Sequence, residues 1–176
     1  MKNNIVLTGF MGTGKTAVGQ ALAKRLNRQF IEVDSKIEQM AGKSISDIFK
    51  DNGEIYFREL EIGAIKQAAA GKKQVIACGG GVVLNTINID RLRETGVIIN
   101  LAVSPQIILK RTSGNAGSRP LLNIQQPAEL IRELLKFRKP FYDRAADLII
   151  NTSKLNIDTV ADKIIDRLKN YAGFDL

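Results

Sequence analysis

Short apolar runs alternating with stretches of helical periodicity frame this chain. Ile5, Val6 and Leu7 form a continuous apolar run, which predicts a short buried strand over 5–8. Val18, Ala21, Leu22 and Leu26 then recur at helical spacing within 15–26. Residues 30–34 alternate apolar and acidic positions and predict a second strand with Asp34 at its C-terminal end. Ser35 and Glu38 stand at capping-box spacing, so a helix is expected to open there and stop at Gly42.

Helices are predicted next over 44–49 and 54–70, with Gly53 between them and Gly71 closing the second. A third strand over 74–78 runs straight into Gly79, Gly80 and Gly81, and a helix over 87–94 leads through Gly96 into a strand over 97–102. Ser104 and Pro105 are a cap residue and a first-turn proline, opening a helix that carries Lys110 and Arg111. Periodicity is lost over 112–123, where Gly114, Gly117 and Pro120 gather in a loop of lid length. Pro127 opens a helix to 139, residues 148–151 form a last strand, and a helix over 158–171 turns Val160, Ile164, Ile165 and Leu168 inward. Strand and helix alternate about five times with no internal repeat, which predicts a single α/β domain around a parallel sheet.

Composition narrows the chemistry. One cysteine, Cys78, and no histidine among 176 residues leave no basis for a disulfide framework, a zinc site or histidine catalysis, so proton transfer falls to carboxylates or lysines. No apolar run reaches membrane-spanning length and no signal-peptide pattern opens the chain, so a cytoplasmic protein without a membrane partner is expected. Lys and Arg outnumber Asp and Glu by 26 to 18, and the net charge of +8 calls for anionic partners. Nucleic acid is not expected among them: Trp is absent and the basic residues are interspersed with acidic ones rather than forming a stripe with stacking aromatics.

Between the first strand and the first helix stands Gly9-Phe10-Met11-Gly12-Thr13-Gly14-Lys15-Thr16, the G-x-x-x-x-G-K-T of a phosphate-binding loop. A glycine-rich turn points backbone N–H groups inward, and the following helix adds the positive end of its dipole. The expected nucleotide cradle is Gly12, Thr13, Gly14, Lys15, Thr16 and Ala17. Lys15 can reach the β- and γ-phosphate oxygens of ATP while the Thr16 hydroxyl takes one position on Mg²⁺.

Ligands of parallel sheets sit outside the C-terminal strand ends, so the P-loop, Asp34 and the 79–81 run are expected to share one crevice. Glu32, two residues before Asp34 on the same strand face, lets one carboxylate serve Mg²⁺ and the other an acceptor hydroxyl. Three consecutive glycines cost roughly 0.5 to 1 kcal/mol each in chain entropy against Ala, which close approach of backbone to a small substrate would offset. On spacing alone Arg58 and Glu61 read as a surface ion pair, and Arg138-Lys139 as a basic helix end stopped by Pro140. Arg119 stands in the lid, where closure can swing its guanidinium onto a transferring phosphoryl group.

Residues 9–16, Asp34, Phe57-Arg58-Glu59-Leu60-Glu61, the 79–81 run, Arg119-Pro120-Leu121 and Arg138-Lys139-Pro140-x-Tyr142 together resemble the shikimate kinase family, in the family's order and across almost the whole chain. The resemblance implies a P-loop NTPase fold of the nucleoside-monophosphate-kinase type. It has a five-stranded parallel sheet with helices on both faces, a lid, and a substrate-binding helical region, here over 34–61. It also implies ATP-dependent phosphorylation of the 3-hydroxyl of shikimate by a monomer.

Asp34 would take the hydroxyl proton, and Lys15 and Arg119 would stabilise the γ-phosphoryl group. Arg58, Arg138 and the backbone of Gly79, Gly80 and Gly81 would hold the substrate, Glu61 would orient Arg58, and Arg111 would pack on adenine. Where the family commonly has Asp-x-Asp, this chain has Glu32-Val33-Asp34, so the implied contact to Mg²⁺ through water falls to a side chain longer by one methylene. Cys78 reads as packing. The competing readings are another P-loop small-molecule kinase, such as a gluconate kinase, and an ATP-dependent nucleic-acid-binding or regulatory protein.

Overall fold

The computed structural model describes residues 1–112 and 127–176. β1 (Asn4–Thr8) lies at the centre of a five-stranded sheet, between β3 (Gln74–Ala77) and β4 (Gly96–Ala102). β2 (Gln29–Glu32) pairs with β3 at one edge and β5 (Leu148–Asn151) with β4 at the other, and every pairing is parallel. Parallel strands are joined by crossovers that cover both faces, which is why the central strands read as unbroken apolar runs. Ile5 and Leu7 enter one layer with Val75, Val97 and Ile99, under α1 (Lys15–Arg25) and α7 (Ile157–Lys169). Val6, Ile76 and Ile98 enter the other, which is completed by α3 (Ile45–Ala69), α4 (Thr86–Thr95), α5 (Pro105–Thr112) and α6 (Pro127–Ala145).

Two boundaries differ from those expected, and both shape the site. β2 ends at Glu32 and α2 (Val33–Ala41) opens at once, so Asp34 stands in the first turn of a helix and does not share a strand face with Glu32. Burial decides this: opening at Val33 puts Val33 and Ile37, one turn apart and both fully buried, into the core. The capping box at Ser35 does not form; Glu32 occupies the cap position, and Glu38 Oε1 instead accepts a 2.9 Å hydrogen bond from the Ile45 amide.

The second difference is α6, which continues through Pro140 to Ala145 where a stop at 139 was expected. A proline inside a helix costs about 3 kcal/mol. Burial of Tyr142 and Ala145, 4% and 2% exposed, offsets it. The two helices expected over 44–49 and 54–70 are the arms of α3, kinked at Gly53, whose φ of 79° is open to glycine at little cost. Apart from Thr112, the expected lid over 112–123, Arg119 included, lies outside the described residues.

Candidate active site

The parallel register brings the segments that follow β1, β2 and β3 to one edge of the sheet. There they border an open cleft of about 1370 Å³, lined by the P-loop, Glu32, Asp34, Arg58, Glu61, the 79–81 run, Arg111 and Arg138. Within the described residues, every expected site position therefore faces one cavity. The P-loop is braced from inside: Thr13 Oγ1 donates to the Phe10 carbonyl at 2.8 Å, and the Lys15 ammonium donates to the carbonyls of Gly9 and Phe10 at 2.9 and 3.0 Å. Arg111, at the end of α5, donates to the Gly12 carbonyl at 3.2 Å and so closes over the loop's outer side.

Glu32 and Asp34 arrive from two different elements yet lie close enough for their charges to interact. Burial pushes the Glu32 carboxyl above its ordinary range; the Thr16 hydroxyl and Lys15 pull the other way, and Asp34 adds to the upward push. Its Oε2 is buried with no hydrogen-bond partner among the described residues. Asp34 is likewise pushed up by burial first, then drawn down by Lys15 and Arg58 and raised by Glu38. Its carboxylate packs on Gly79, where a Cβ would stand 2.7 Å from Oδ1.

Arg58 and Glu61 are not the surface pair that spacing alone suggested. The Glu61 side chain is 1% exposed, and Arg58 Nη1 donates to both of its oxygens at 3.2 Å while Nη2 holds Glu54 at 3.0 Å. Desolvation outweighs the arginine and raises the Glu61 carboxyl. The guanidinium leans over the Phe57 ring and against Gly81, where a Cβ would come within 2.6 Å of Nη1. The glycine run thus has a direct steric cause: at Gly79 and Gly81 the missing methyl makes room for Asp34 and Arg58. From α6, Arg138 lies over the P-loop residue Phe10 at 5.7 Å and donates to the Gly80 carbonyl at 3.5 Å.

Sequence reading gave no role to three supports, one of which, Tyr142, stood in the motif that carries the resemblance. Tyr142, one turn beyond Arg138, donates its hydroxyl to the Gly80 carbonyl at 2.6 Å; the i, i+4 spacing was a usable signal, hidden by reading Pro140 as a stop. Asn88, fully buried in α4, donates to Glu61 Oε2 at 3.5 Å, and Thr152, after β5, donates to the Thr13 carbonyl at 3.4 Å. Neither of those two carries a sequence signal. Cys78 lies under the site with its thiol pushed up by burial, which keeps it neutral and supports the packing role.

Among the described residues, no group of three or more His, Cys, Asp or Glu side chains is placed to hold a metal, and no helix is long and apolar enough to cross a membrane. What the cleft offers is an anion cradle, a buried carboxylate, and arginines from α3, α5 and α6. The shikimate kinase family model matches residues 11–169. A shikimate kinase from Caldanaerobacter subterraneus subsp. tengcongensis is 51% identical over 162 residues, covering 92% of this chain and 94% of that protein. One from Thermoanaerobacter pseudethanolicus is 52% identical with the same coverage. The structure of shikimate kinase from Acinetobacter baumannii in complex with shikimate superposes with a TM-score of 0.92 at 35% identity, over 98% of this chain and 96% of that one. By match length, identity and architecture together, this chain belongs to the shikimate kinase family.

Proposed function

We propose that the protein transfers the γ-phosphoryl group of ATP to the 3-hydroxyl of shikimate, giving shikimate 3-phosphate and ADP. The carrying observation is Asp34: a buried carboxylate within reach of the charges of both Lys15 on the P-loop and Arg58 on α3, all lining one cleft. Arg58, fixed by Glu61, and Arg138 present guanidinium forks suited to the substrate's carboxylate, with the 79–81 backbone beside them. The 3-hydroxyl donates a hydrogen bond to Asp34, and its proton passes to that carboxylate as the new O–P bond forms. A carboxyl raised above its ordinary range is the better proton acceptor. Lys15 exchanges the Gly9 and Phe10 carbonyls for β- and γ-phosphate oxygens, and Arg119 is assigned to the same developing charge.

The donor set suits Mg²⁺. Thr16 would hold the ion by its hydroxyl, and Glu32, whose buried Oε2 has no hydrogen-bond partner among the described residues, would reach it through water. When bound, it neutralises charge on the β- and γ-phosphate oxygens. The reading further holds the protein to be a cytoplasmic monomer, for which light scattering of the purified chain is the check on oligomeric state.

A coupled ADP-release assay with shikimate tests the assignment; no turnover above the ATP-only background overturns it. Gluconate, also a carboxylate with hydroxyls, belongs in the acceptor panel, because preference for it would move the chain's activity to a neighbouring kinase class.

A further inference from the structure

The 79–81 run makes its turn with two of its own carbonyls. Gly79 O accepts from the Val82 amide at 3.2 Å and Gly81 O from the Leu84 amide at 3.0 Å. The carbonyl between them, on Gly80, has no such backbone partner among the described residues. It accepts instead from Tyr142 at 2.6 Å, with Arg138 as a longer and weaker second donor at 3.5 Å. Tyr142 is 4% exposed, and burial raises its hydroxyl far above any working pH, so it remains a donor throughout.

In a trans peptide the C=O of one residue and the N–H of the next point in opposite directions. Fixing the Gly80 carbonyl toward α6 therefore fixes the Gly81 N–H away from it. Gly81 borders the cleft, and its amide has no hydrogen-bond partner among the described residues. We propose that Tyr142 is a positioning residue of the acceptor site: by holding the Gly80 carbonyl, it sets the Gly80–Gly81 peptide plane so that the Gly81 amide is presented to the acceptor substrate. A flipped plane would turn that amide into α6 and put a carbonyl oxygen in its place, facing an anionic substrate. The i, i+4 pair on α6 is joined by its own side-chain hydrogen bond, so the Gly81 amide, read beside KM, separates the tasks of its two members. Arg138 meets the substrate, and Tyr142 shapes the backbone opposite it.

This inference rests on the shikimate reading, so its test has one arm that does not. Tyr142→Phe removes only the hydroxyl and keeps the ring in the core. KM for shikimate is expected to rise about tenfold, the scale of one lost hydrogen bond, because the 3.5 Å contact from Arg138 alone holds the carbonyl weakly. KM for ATP and kcat should stay within about twofold, since no nucleotide contact changes. Tyr171→Phe, far from the cleft, is the matched control and should leave both constants unchanged. An equal loss for both substrates, or no change in either, overturns the proposal. The second arm needs no substrate: in ¹⁵N NMR of the ligand-free protein the Gly81 amide should shift and exchange faster in Tyr142→Phe, and an unmoved Gly81 amide overturns the proposal even if wild-type protein proves inactive on shikimate.

Discussion

The Asp34 carboxylate occupies the space that a side chain at residue 79 would need: a Cβ on Gly79 would sit 2.7 Å from Asp34 Oδ1, closer than real Cβ contacts allow. Asp34 is buried beside Glu61, so the carboxylate has little room to retreat. Gly79→Ala is therefore expected to push the carboxylate off its position and to cost about 1 to 3 kcal/mol of stability by overpacking. The catalytic loss should be larger than the structural one, about a hundredfold in kcat, as a displacement of 1 Å in a reacting group produces. Steady-state kinetics with a denaturant midpoint on the same preparation separates the two.

Asp34→Asn probes the same position without adding bulk. Asparagine keeps a hydrogen-bond acceptor but cannot take the proton, so kcat should fall by about a hundredfold to ten-thousandfold while ATP affinity holds. The pH behaviour has two opposite slopes. As a base, Asp34 must be ionised, so kcat/KM in the wild type should fall with decreasing pH through a pKa above the ordinary carboxylate value of about 4. Stability runs the other way. A carboxyl whose pKa is raised on folding holds its proton in the native state after the unfolded chain has released it. Its favourable contribution is complete below the unfolded pKa and is lost as pH rises through the folded one. Glu32, Asp34 and Glu61 are all raised, so all three act in this direction, and Asp34→Asn should flatten part of that stability slope. Urea midpoints measured across the weakly acidic range, alongside the pH–rate profile, check both signs.

Local signals carried the frame of this protein; tertiary packing hid much of its site. The P-loop was legible because its chemistry is set by consecutive residues, and the strands were legible because a sheet covered on both faces leaves unbroken apolar runs such as Ile5 to Leu7. The placement of Asp34 was not, because the start of α2 is decided by the burial of Val33 and Ile37 against elements far along the chain. Nor was the burial of Glu61, since an i, i+3 pair reads the same on an exposed face as on a buried one. Tyr142 was hidden by a local rule that packing overrode: Pro140 stops most helices, but here the core beyond it repays continuation.

The Arg58–Glu61 pair should separate function from stability. Glu61 is buried and its carboxyl is raised, so its charge is held against desolvation, and replacing it by glutamine removes that penalty together with the attraction. Arg58 is part-exposed and keeps Glu54 at 3.0 Å, so it is not left without a counter-charge. Glu61→Gln is thus expected to change stability by no more than about 1 kcal/mol. The Arg58 guanidinium, however, would be drawn toward Glu54, away from the glycine run. A rise of about tenfold in KM for shikimate with an unchanged KM for ATP is the expected outcome. Loss of several kcal/mol of unfolding free energy in urea titration would show that Glu61 is mainly a structural anchor.

Glu32→Gln tests the metal assignment through a reversal of sign. Glu32 stands beside Thr16 and Lys15 with a buried oxygen that has no hydrogen-bond partner among the described residues, so its charge acts on the phosphates as well as on any cation held there. Removing that charge should weaken the hold on Mg²⁺, raising the concentration needed for half-maximal activity several-fold. The same change removes a repulsion between carboxylate and triphosphate, so metal-free ATP should bind more tightly, by about threefold to tenfold for one nearby charge partly screened by solvent. Calorimetry with ATP in EDTA and with MgATP reads the two effects separately. Glu32→Asp, which restores the charge one methylene shorter, should recover the Mg²⁺ dependence. If both variants weaken metal-free and metal-bound nucleotide alike, Glu32 supports the P-loop and does not hold the ion.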